Sequence, residues 1–375
     1  MDRKLIGFDA KRVFSNSTGL GSYGRTLINT LAALPLELRL YAPDHGICFL
    51  RRQIKRSDNI RTAYPRHLPF GKLSKALWRT FFIVRRLKQD GIQLYHGLSG
   101  ELPVGIRKSG IKSVVTIHDL IFLRHPEYYN WFDVNIYTWK FRRTIREADH
   151  IIAISECTKR DIIDLGGVDE DRISVIYQGC APRFTPEGSD PAFFQLVVPD
   201  RYLLYVGTIE RRKNVLLAVK ALLHLPEEVS LVIVGRQTAY YEEVFDFIWE
   251  HRLEERVRFF HNITDEQLPE FYSRAEAFVY PSRYEGFGIP IIEAINSGLP
   301  VVACTGSCLE EAGGPDSLYV DPDDIEGFAE AIKQVLQGAE GREERIRRSQ
   351  QYVRRFEGAD VARQVYDLYN KLLEP

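Results

Sequence analysis

No stretch of the sequence runs to eighteen apolar residues, so nothing in it reads as a membrane-spanning helix. The opening segment, Met1 to Gly7, lacks the long apolar core of a secretory signal, and the expectation is cytoplasmic residence. Cysteine is sparse and odd in number: Cys48, Cys157, Cys180, Cys304 and Cys308. Only the last two are close, and neither a second pair nor histidines stand at zinc-ligand spacing. They read as reduced packing residues, with no structural metal. Short repeats and low-complexity tails are also missing.

Net charge is nearly absent, at −1, but that balance hides an asymmetry. Residues 1–185 hold 30 Lys and Arg against 18 Asp and Glu, and residues 186–375 hold 20 against 33, so the halves carry +12 and −13. A split of this kind favours two separate units and gives the first a field that attracts anions. A chain of 375 residues also exceeds what one hydrophobic core usually serves.

What is present is a repeated alternation of short apolar runs and helical stretches. Strands are expected at Leu5–Phe8, Leu38–Tyr41, Gln93–His96, Ser113–Ile117 and His150–Ile154, with a helix near Tyr23 to Leu34. The pattern restarts at Tyr202–Gly207 and continues through Val229–Gly235, Val257–Phe260, Ala277–Pro281, Val301–Ala303 and Leu318–Val320. This is α/β alternation, and each half is expected to form a doubly wound sheet. The proline-rich stretch Ala181 to Arg201 reads as the linker, with a hinge and a cleft between the halves. Ligands of such sheets collect at the carboxyl ends of the strands.

The most informative segment is Tyr284-Glu285-Gly286-Phe287-Gly288-Ile289-Pro290-Ile291-Ile292-Glu293. Pro290 suits the first turn of a helix, and the two glycines let the preceding backbone turn tightly and approach a ligand. Glu285 then precedes the helix and Glu293 falls in its first turn, around N–H groups that suit an anion such as a diphosphate. Were the span fully helical, the carboxylates would lie roughly 12 Å apart along the axis. That is too far for an acid and base acting on one glycosidic bond, so separate roles are expected. After the strand ending at Gly207-Thr208 come Arg211, Arg212, Lys213 and Asn214, cations placed to meet phosphates. The alternatives are a helix entered through a turn, with Glu293 stabilising its N-terminus, and a solvated basic loop.

These residues resemble the E-x7-E motif of the group-1 family of retaining glycosyltransferases. Tyr280 to Tyr284 and Glu293 to Ala303 resemble its flanking pattern. So do Gly19-Leu20-Gly21, Thr116-Ile117-His118-Asp119, Ile154-Ser155-Glu156 and Val206-Gly207-Thr208 with Arg212-Lys213-Asn214, so the likeness spans nearly the whole chain. It implies the GT-B architecture: two Rossmann-like doubly wound domains facing across a cleft. Residues 1–185, joined by a returning C-terminal helix at about 358–375, would form the acceptor-side domain, and residues 186–357 the domain for the nucleotide sugar.

The resemblance implies transfer of a hexosyl group from a nucleoside diphosphate sugar to an acceptor hydroxyl, with retained configuration and without a metal or other cofactor. Arg212 and Lys213 would hold the diphosphate as it leaves, Glu285 would contact hydroxyls of the transferred sugar, and His118 would support its developing positive charge. Glu293 would accept from the ribose hydroxyls. The backbone N–H groups of Gly286, Phe287, Gly288 and Ile289 would hold sugar and phosphate, and Gly19 and Gly21 would present N–H groups across the cleft. Thr208-Ile209-Glu210 before Arg211 to Asn214, with Thr116 to Leu120, looks most like mannosyltransferases, so GDP-mannose is the first donor expected, with UDP-glucose as the alternative. Assembly of a surface polysaccharide or lipopolysaccharide would be the setting. A sugar-nucleotide 2-epimerase and a non-catalytic nucleotide-sugar-binding protein are the other readings of the same architecture.

Two further features pull elsewhere. Gly19 to Gly24 satisfies G-x-G-x-x-G with Asp44 twenty residues on, which imitates a dinucleotide fingerprint, but about ten residues separate it from the first strand. Residues 51–91 hold twelve Lys and Arg and two acids. On a helical wheel Lys75, Arg79 and Arg86 share a face within about 40°, with Trp78 and Phe82 beside it and Leu73, Leu77, Phe81 and Val84 on the other. The alternatives are a surface helix with its apolar side in the core, and peripheral contact of residues 72–88 with anionic lipid on the inner face of the cell membrane. The second would make the acceptor lipid-linked. No nucleic-acid motif accompanies the charge.

Overall fold

The computed structural model describes residues 3–65, 71–180, 183–186 and 198–374. By its internal contacts the chain divides into two units, Met1–Gly179 with Phe356–Pro375, and Cys180–Arg355. The linker expected over Ala181–Arg201 lies largely outside the described residues.

The first unit holds β1 (Lys4–Asp9), β2 (Leu36–Tyr41), β3 (Ile60–Ala63), β4 (Leu94–Gly97), β5 (Lys112–Ile117), β6 (His150–Ala153) and β7 (Ile173–Val175). They form one parallel sheet in the order β3-β2-β1-β4-β5-β6-β7. The order turns back at β1, where the chain crosses from one side of the sheet to the other, as in a doubly wound fold. The central strands are buried on both faces, which is why they read as unbroken apolar runs. The helices Trp131–Glu147 and Glu156–Gly166 start on side-chain caps: Asn130 accepts from the N–H of Asp133 and Ser155 from that of Thr158. The last helix, Gly358–Leu373, buries Val361, Ala362, Val365 and Tyr369 in the same core as Leu27, Ile28 and Leu31 of helix Gly19–Leu31.

The second unit holds β8 (Tyr202–Val206), β9 (Ser230–Val234), β10 (Val257–Phe260), β11 (Ala277–Tyr280), β12 (Val301–Cys304) and β13 (Leu318–Val320). They pair in parallel in the order β10-β9-β8-β11-β12-β13, again turning back at the first strand.

The glycines of Gly19 to Gly24 open helix Gly19–Leu31, and a short helix, Lys11–Ser15, fills the interval after β1 that sets the motif apart from a dinucleotide turn. One expectation changes. The basic wheel over residues 72–88 is interrupted by five residues of π-helix, Trp78–Phe82, between helices Lys72–Leu77 and Ile83–Gln89. A π turn takes an extra residue, so positions beyond it rotate away from a uniform α wheel. Arg79 and Trp78 turn inward and are buried, whereas Leu73, Leu77, Phe81 and Phe82 are exposed. The basic face therefore does not form: Arg79 pairs with Asp9 at 3.4 Å and with Glu101, Lys75 with Asp44 at 2.7 Å, and Arg86 with Asp90 at 2.9 Å.

Candidate active site

In the second unit, the expected residues converge on one carboxylate. The segment after β8 makes a single 3-10 turn, Arg211–Lys213, which ends on Asn214 in the left-handed region at φ 53°. Asparagine tolerates that conformation better than most residues, and here its side chain also donates to the carbonyl of Pro322 at 2.9 Å. The turn sends neighbouring cations in different directions. Arg211 is exposed and pairs with Glu243 of helix Tyr240–Glu250. Arg212 and Lys213 point to Glu285, at 2.9 Å and 2.8 Å.

Glu285 lies in the loop after β11. Its Oε1 accepts from Lys213 and also from Ser282 at 2.8 Å and Tyr280 at 3.2 Å. Burial alone would raise its pKa, but Lys213 and Arg212 outweigh that and hold the carboxyl at about 2. Arg212, whose pKa burial would lower, is instead raised by Glu285 and Glu210. Lys213 donates to Tyr280 at 2.9 Å and to Glu285, two of its three N–H bonds. The buried thiol of Cys308 donates to the carbonyls of Glu285 (3.0 Å) and Phe287 (2.8 Å), fastening the loop from behind.

The loop passes into helix Ile289–Asn296 through Gly288 at φ 123°, a conformation open to glycine. Gly286 and Phe287 complete the loop, and Gly288 and Ile289 carry N–H groups at the start of the helix. Because the helix begins at Ile289, Glu293 is its fifth residue, beyond the first turn where an acid would be favoured. Glu293 accepts from Tyr272 at 3.0 Å. Burial raises its pKa to about 7, against smaller opposing effects of Tyr272 and Arg183.

In the first unit, His118 follows β5 at the carboxyl edge of the sheet and lines a cavity of about 260 Å³ together with Arg12, Tyr137 and Lys140. Its Nε2 donates to the carbonyl of Leu98 at 2.9 Å and its Nδ1 accepts from Gln178 at 2.6 Å. Burial lowers its pKa to about 4, so the ring is neutral at pH 7 and both nitrogens are engaged. A second buried histidine, His96, joins Tyr369 of the last helix (2.6 Å) to Thr116 (2.8 Å), which meets Tyr23 at 3.1 Å, and Tyr23 packs edge-on against His118. Gly21 does not offer its N–H outward: it donates to Thr18 and Asn16, and a Cβ there would lie 1.9 Å from the Asn16 carbonyl oxygen. Gly19 occupies the first position of that helix.

The partners Tyr280 and Ser282 belong to the flanking segment Tyr280 to Tyr284, so the sequence carried a signal for them. Gln178, sixty positions from His118, gave none.

Two family models match: Glycosyltransferase Family 4 over residues 17–183 and Glycosyl transferases group 1 over residues 189–352. The O-antigen chain mannosyltransferase B of Escherichia coli is 29% identical over 377 residues, covering 95% of this chain and 96% of that protein. Among solved structures, a sucrose-phosphate synthase from Thermosynechococcus elongatus superposes with a TM-score of 0.79 at 23% identity, over 99% of each chain. An Anabaena protein in complex with UDP and glucose gives 0.72 at 18% identity, over 98% of this chain and 99% of that one. The two parallel sheets are those of the GT-B architecture, and the chain belongs to the group-1 family of glycosyltransferases.

Proposed function

We propose that this glycosyltransferase moves a mannosyl group from GDP-mannose to an acceptor hydroxyl, with retention of configuration, in assembly of a surface polysaccharide or lipopolysaccharide. The observation that carries the reading is the group of Arg212, Lys213 and Glu285, each with 12–14% of its side chain exposed, beside a glycine-entered helix N-terminus. A departing diphosphate needs positive charge that is already in place, because donors fixed beforehand cost no reorganisation during reaction. Glu285 holds both cations in position, and Lys213 retains a third N–H for a phosphate oxygen. This charge fills the place a divalent cation takes elsewhere, so the reaction needs no metal or other cofactor.

The carboxylate of Glu285 accepts from hydroxyls of the transferred sugar, and that of Glu293 from the ribose diol. N–H groups from Gly286 to Ile289 hold sugar and phosphate. The neutral ring of His118 adds no positive charge where an oxocarbenium ion would form, and its carbonyl presents a partial negative one. The mannosyl donor is supported by the similarity to the Escherichia coli mannosyltransferase. UDP-glucose is the second reading, supported by the fold shared with the UDP- and glucose-bound Anabaena protein.

Thermal stabilisation by GDP, UDP, GDP-mannose, UDP-glucose and NAD tests the donor, since a ligand at a hundred times its dissociation constant adds about 2.7 kcal/mol. A selective shift with GDP and GDP-mannose is expected, followed by anomeric analysis of the transfer product. A shift with NAD alone would defeat the reading, and an epimerised free sugar would replace transfer by epimerisation.

A further inference from the structure

Four polar side chains join end to end through the interior of the first unit. Tyr369 of the last helix meets His96 of β4 at 2.6 Å, His96 meets Thr116 of β5 at 2.8 Å, and Thr116 meets Tyr23 of helix Gly19–Leu31 at 3.1 Å. Tyr369, His96 and Thr116 are fully buried, and Tyr23 is 7% exposed. The two tyrosines belong to the same core cluster as Phe8, Leu94 and Val114, where apolar side chains would bury without the cost of desolvating polar groups. A polar chain in such a place earns its keep by orientation: when fully bonded, it rigidifies what it joins.

The hydrogens give the chain a direction. Burial, with His118 adding a smaller effect, lowers the pKa of His96 to about 3, so its ring is neutral at pH 7 and carries one N–H. That N–H and the three hydroxyls bring four hydrogens to three links, and one is left over. Among the described residues, the four side chains make no other hydrogen bonds. A hydrogen left over on Tyr369 or Thr116 would be an unpaired donor in a closed interior, which is costlier than one on the part-exposed member. The leftover therefore falls to Tyr23: Tyr369 donates to Nδ1 of His96, Nε2–H of His96 donates to Thr116, and Thr116 donates to Tyr23. Tyr23 then packs edge-on against His118, with ring centroids 4.9 Å apart at 85°. Leu98 and Gln178 engage the two ring nitrogens of His118, and Tyr23 adds a neighbour at right angles to the ring.

We propose that Tyr369, His96, Thr116 and Tyr23 form a positioning chain, through which the seating of the last helix sets the orientation of the His118 ring and with it the rate of sugar transfer. This rests on the role given to His118 above and names the residues that place it. Each link orients the next, so a hydroxyl removed at the Tyr369 end is felt at His118.

The first test needs no variant. A proton–nitrogen correlation spectrum of the full chain with labelled histidines shows which ring nitrogen of His96 carries hydrogen; Nε2–H is expected, and Nδ1–H would reverse the chain and overturn the proposal. Tyr369→Phe should then shift the ring resonances of His118 and lower kcat for transfer about fivefold, the worth of one hydrogen bond, while KM for the sugar nucleotide changes less than about twofold. Tyr366→Phe, on the same helix and partly buried against the same core, should change neither. Tyr23→Phe should lower kcat by about as much as Tyr369→Phe, and the double variant no further, because the chain is already cut. Losses that multiply in the double variant would show two independent packing effects and overturn the proposal. So would His118 resonances that stay in place in Tyr369→Phe or move as far in Tyr366→Phe, and so would an unchanged kcat with the resonances moved. If Tyr369→Phe does not fold, Thr116→Val cuts the chain at its middle with little change of shape and is read in the same way. Should the wild type transfer no sugar, the reading of its function fails, while the His96 tautomer and the His118 shift still decide whether the chain exists.

Discussion

The loop that carries Glu285 and the helix that carries Glu293 belong to one ten-residue segment, yet they treat the same carboxyl group in opposite ways. Burial acts on both and alone would raise both. In the loop, two cations and two hydroxyls reverse it and hold Glu285 at about 2. On the helix, one tyrosine hydroxyl does not, and Glu293 stays at about 7. The loop therefore keeps a fixed charge arrangement in place before any ligand arrives, whereas the helix offers a group whose charge changes near neutral pH. The difference lies in the neighbours, which spacing along the chain does not reveal.

Glu285→Gln breaks this comparison most severely. It leaves Arg212 and Lys213, 13% and 14% exposed, side by side without their shared carboxylate, although Arg212 keeps Glu210, a change that costs up to about 3 kcal/mol. The sign with pH follows from a folded value of about 2 against 4.5. The stability Glu285 contributes is fully present above 4.5 and disappears as pH falls toward 2. Denaturant midpoints of wild type and E285Q should thus differ most at pH 7 and converge in acid. A gap that stays constant down to pH 2.5 would show that the cations do not act through the ionised carboxylate.

Next in size is activity. Lys213→Ala should lower sugar transfer by about 10²–10³-fold, as removal of one preorganised donor to developing charge does. Arg211→Ala, two residues earlier but turned to Glu243 at the surface, should change it little. Equal losses in the two variants would mean that the direction each cation takes in the 3-10 turn has no functional weight.

The sheets were legible because parallel strands buried on both faces read as apolar runs: β8, β9 and β11 stand within a residue or two of expectation. The edge strands β3 and β7 were not legible, being short and carrying polar residues among few buried ones. At Gly21 the motif did not reveal that the N–H is taken by Thr18 and Asn16, because spacing does not show what a helix start turns onto itself. The convergence of Arg212, Lys213 and Glu285 was carried by family resemblance, since 72 positions separate Lys213 from the carboxylate. The burial of Arg79 had no signal, because the carboxylates that draw it inward, Asp9 and Glu101, stand far from it in the sequence.

Glu293→Gln sharpens the contrast from the other side. A carboxyl raised from 4.5 to about 7 gives stability that is complete below 4.5 and is lost as pH rises through 7. The variant, which has no charge to bury, should therefore match wild type at pH 4 and exceed it at pH 8 by up to about 3 kcal/mol. On the proposed ribose role of Glu293, nucleotide affinity should move the opposite way, wild type tightening as pH rises from 6 to 8 while the variant stays flat. Equal pH dependence in the two proteins would detach Glu293 from nucleotide binding.

The smallest expected effect concerns the first unit, where burial keeps His118 neutral while Leu98 and Gln178 engage its two ring nitrogens. Gln178→Leu removes the donor to Nδ1 and should cost about 1 kcal/mol, the loss of one buried hydrogen bond. Gln178→Glu asks more of the site, because it places a carboxylate against Nδ1 and rewards protonation of the ring. The His118 pKa, lowered by burial to about 4, should then rise, and a titration of its Cε1 resonance by NMR would follow it. If transfer falls as the ring becomes charged, the neutrality of this histidine is part of the reaction's electrostatics, as its proposed role requires. If transfer persists with a charged ring, the hydrogen bonds to Leu98 and Gln178 serve to hold the loop after β5 and nothing more.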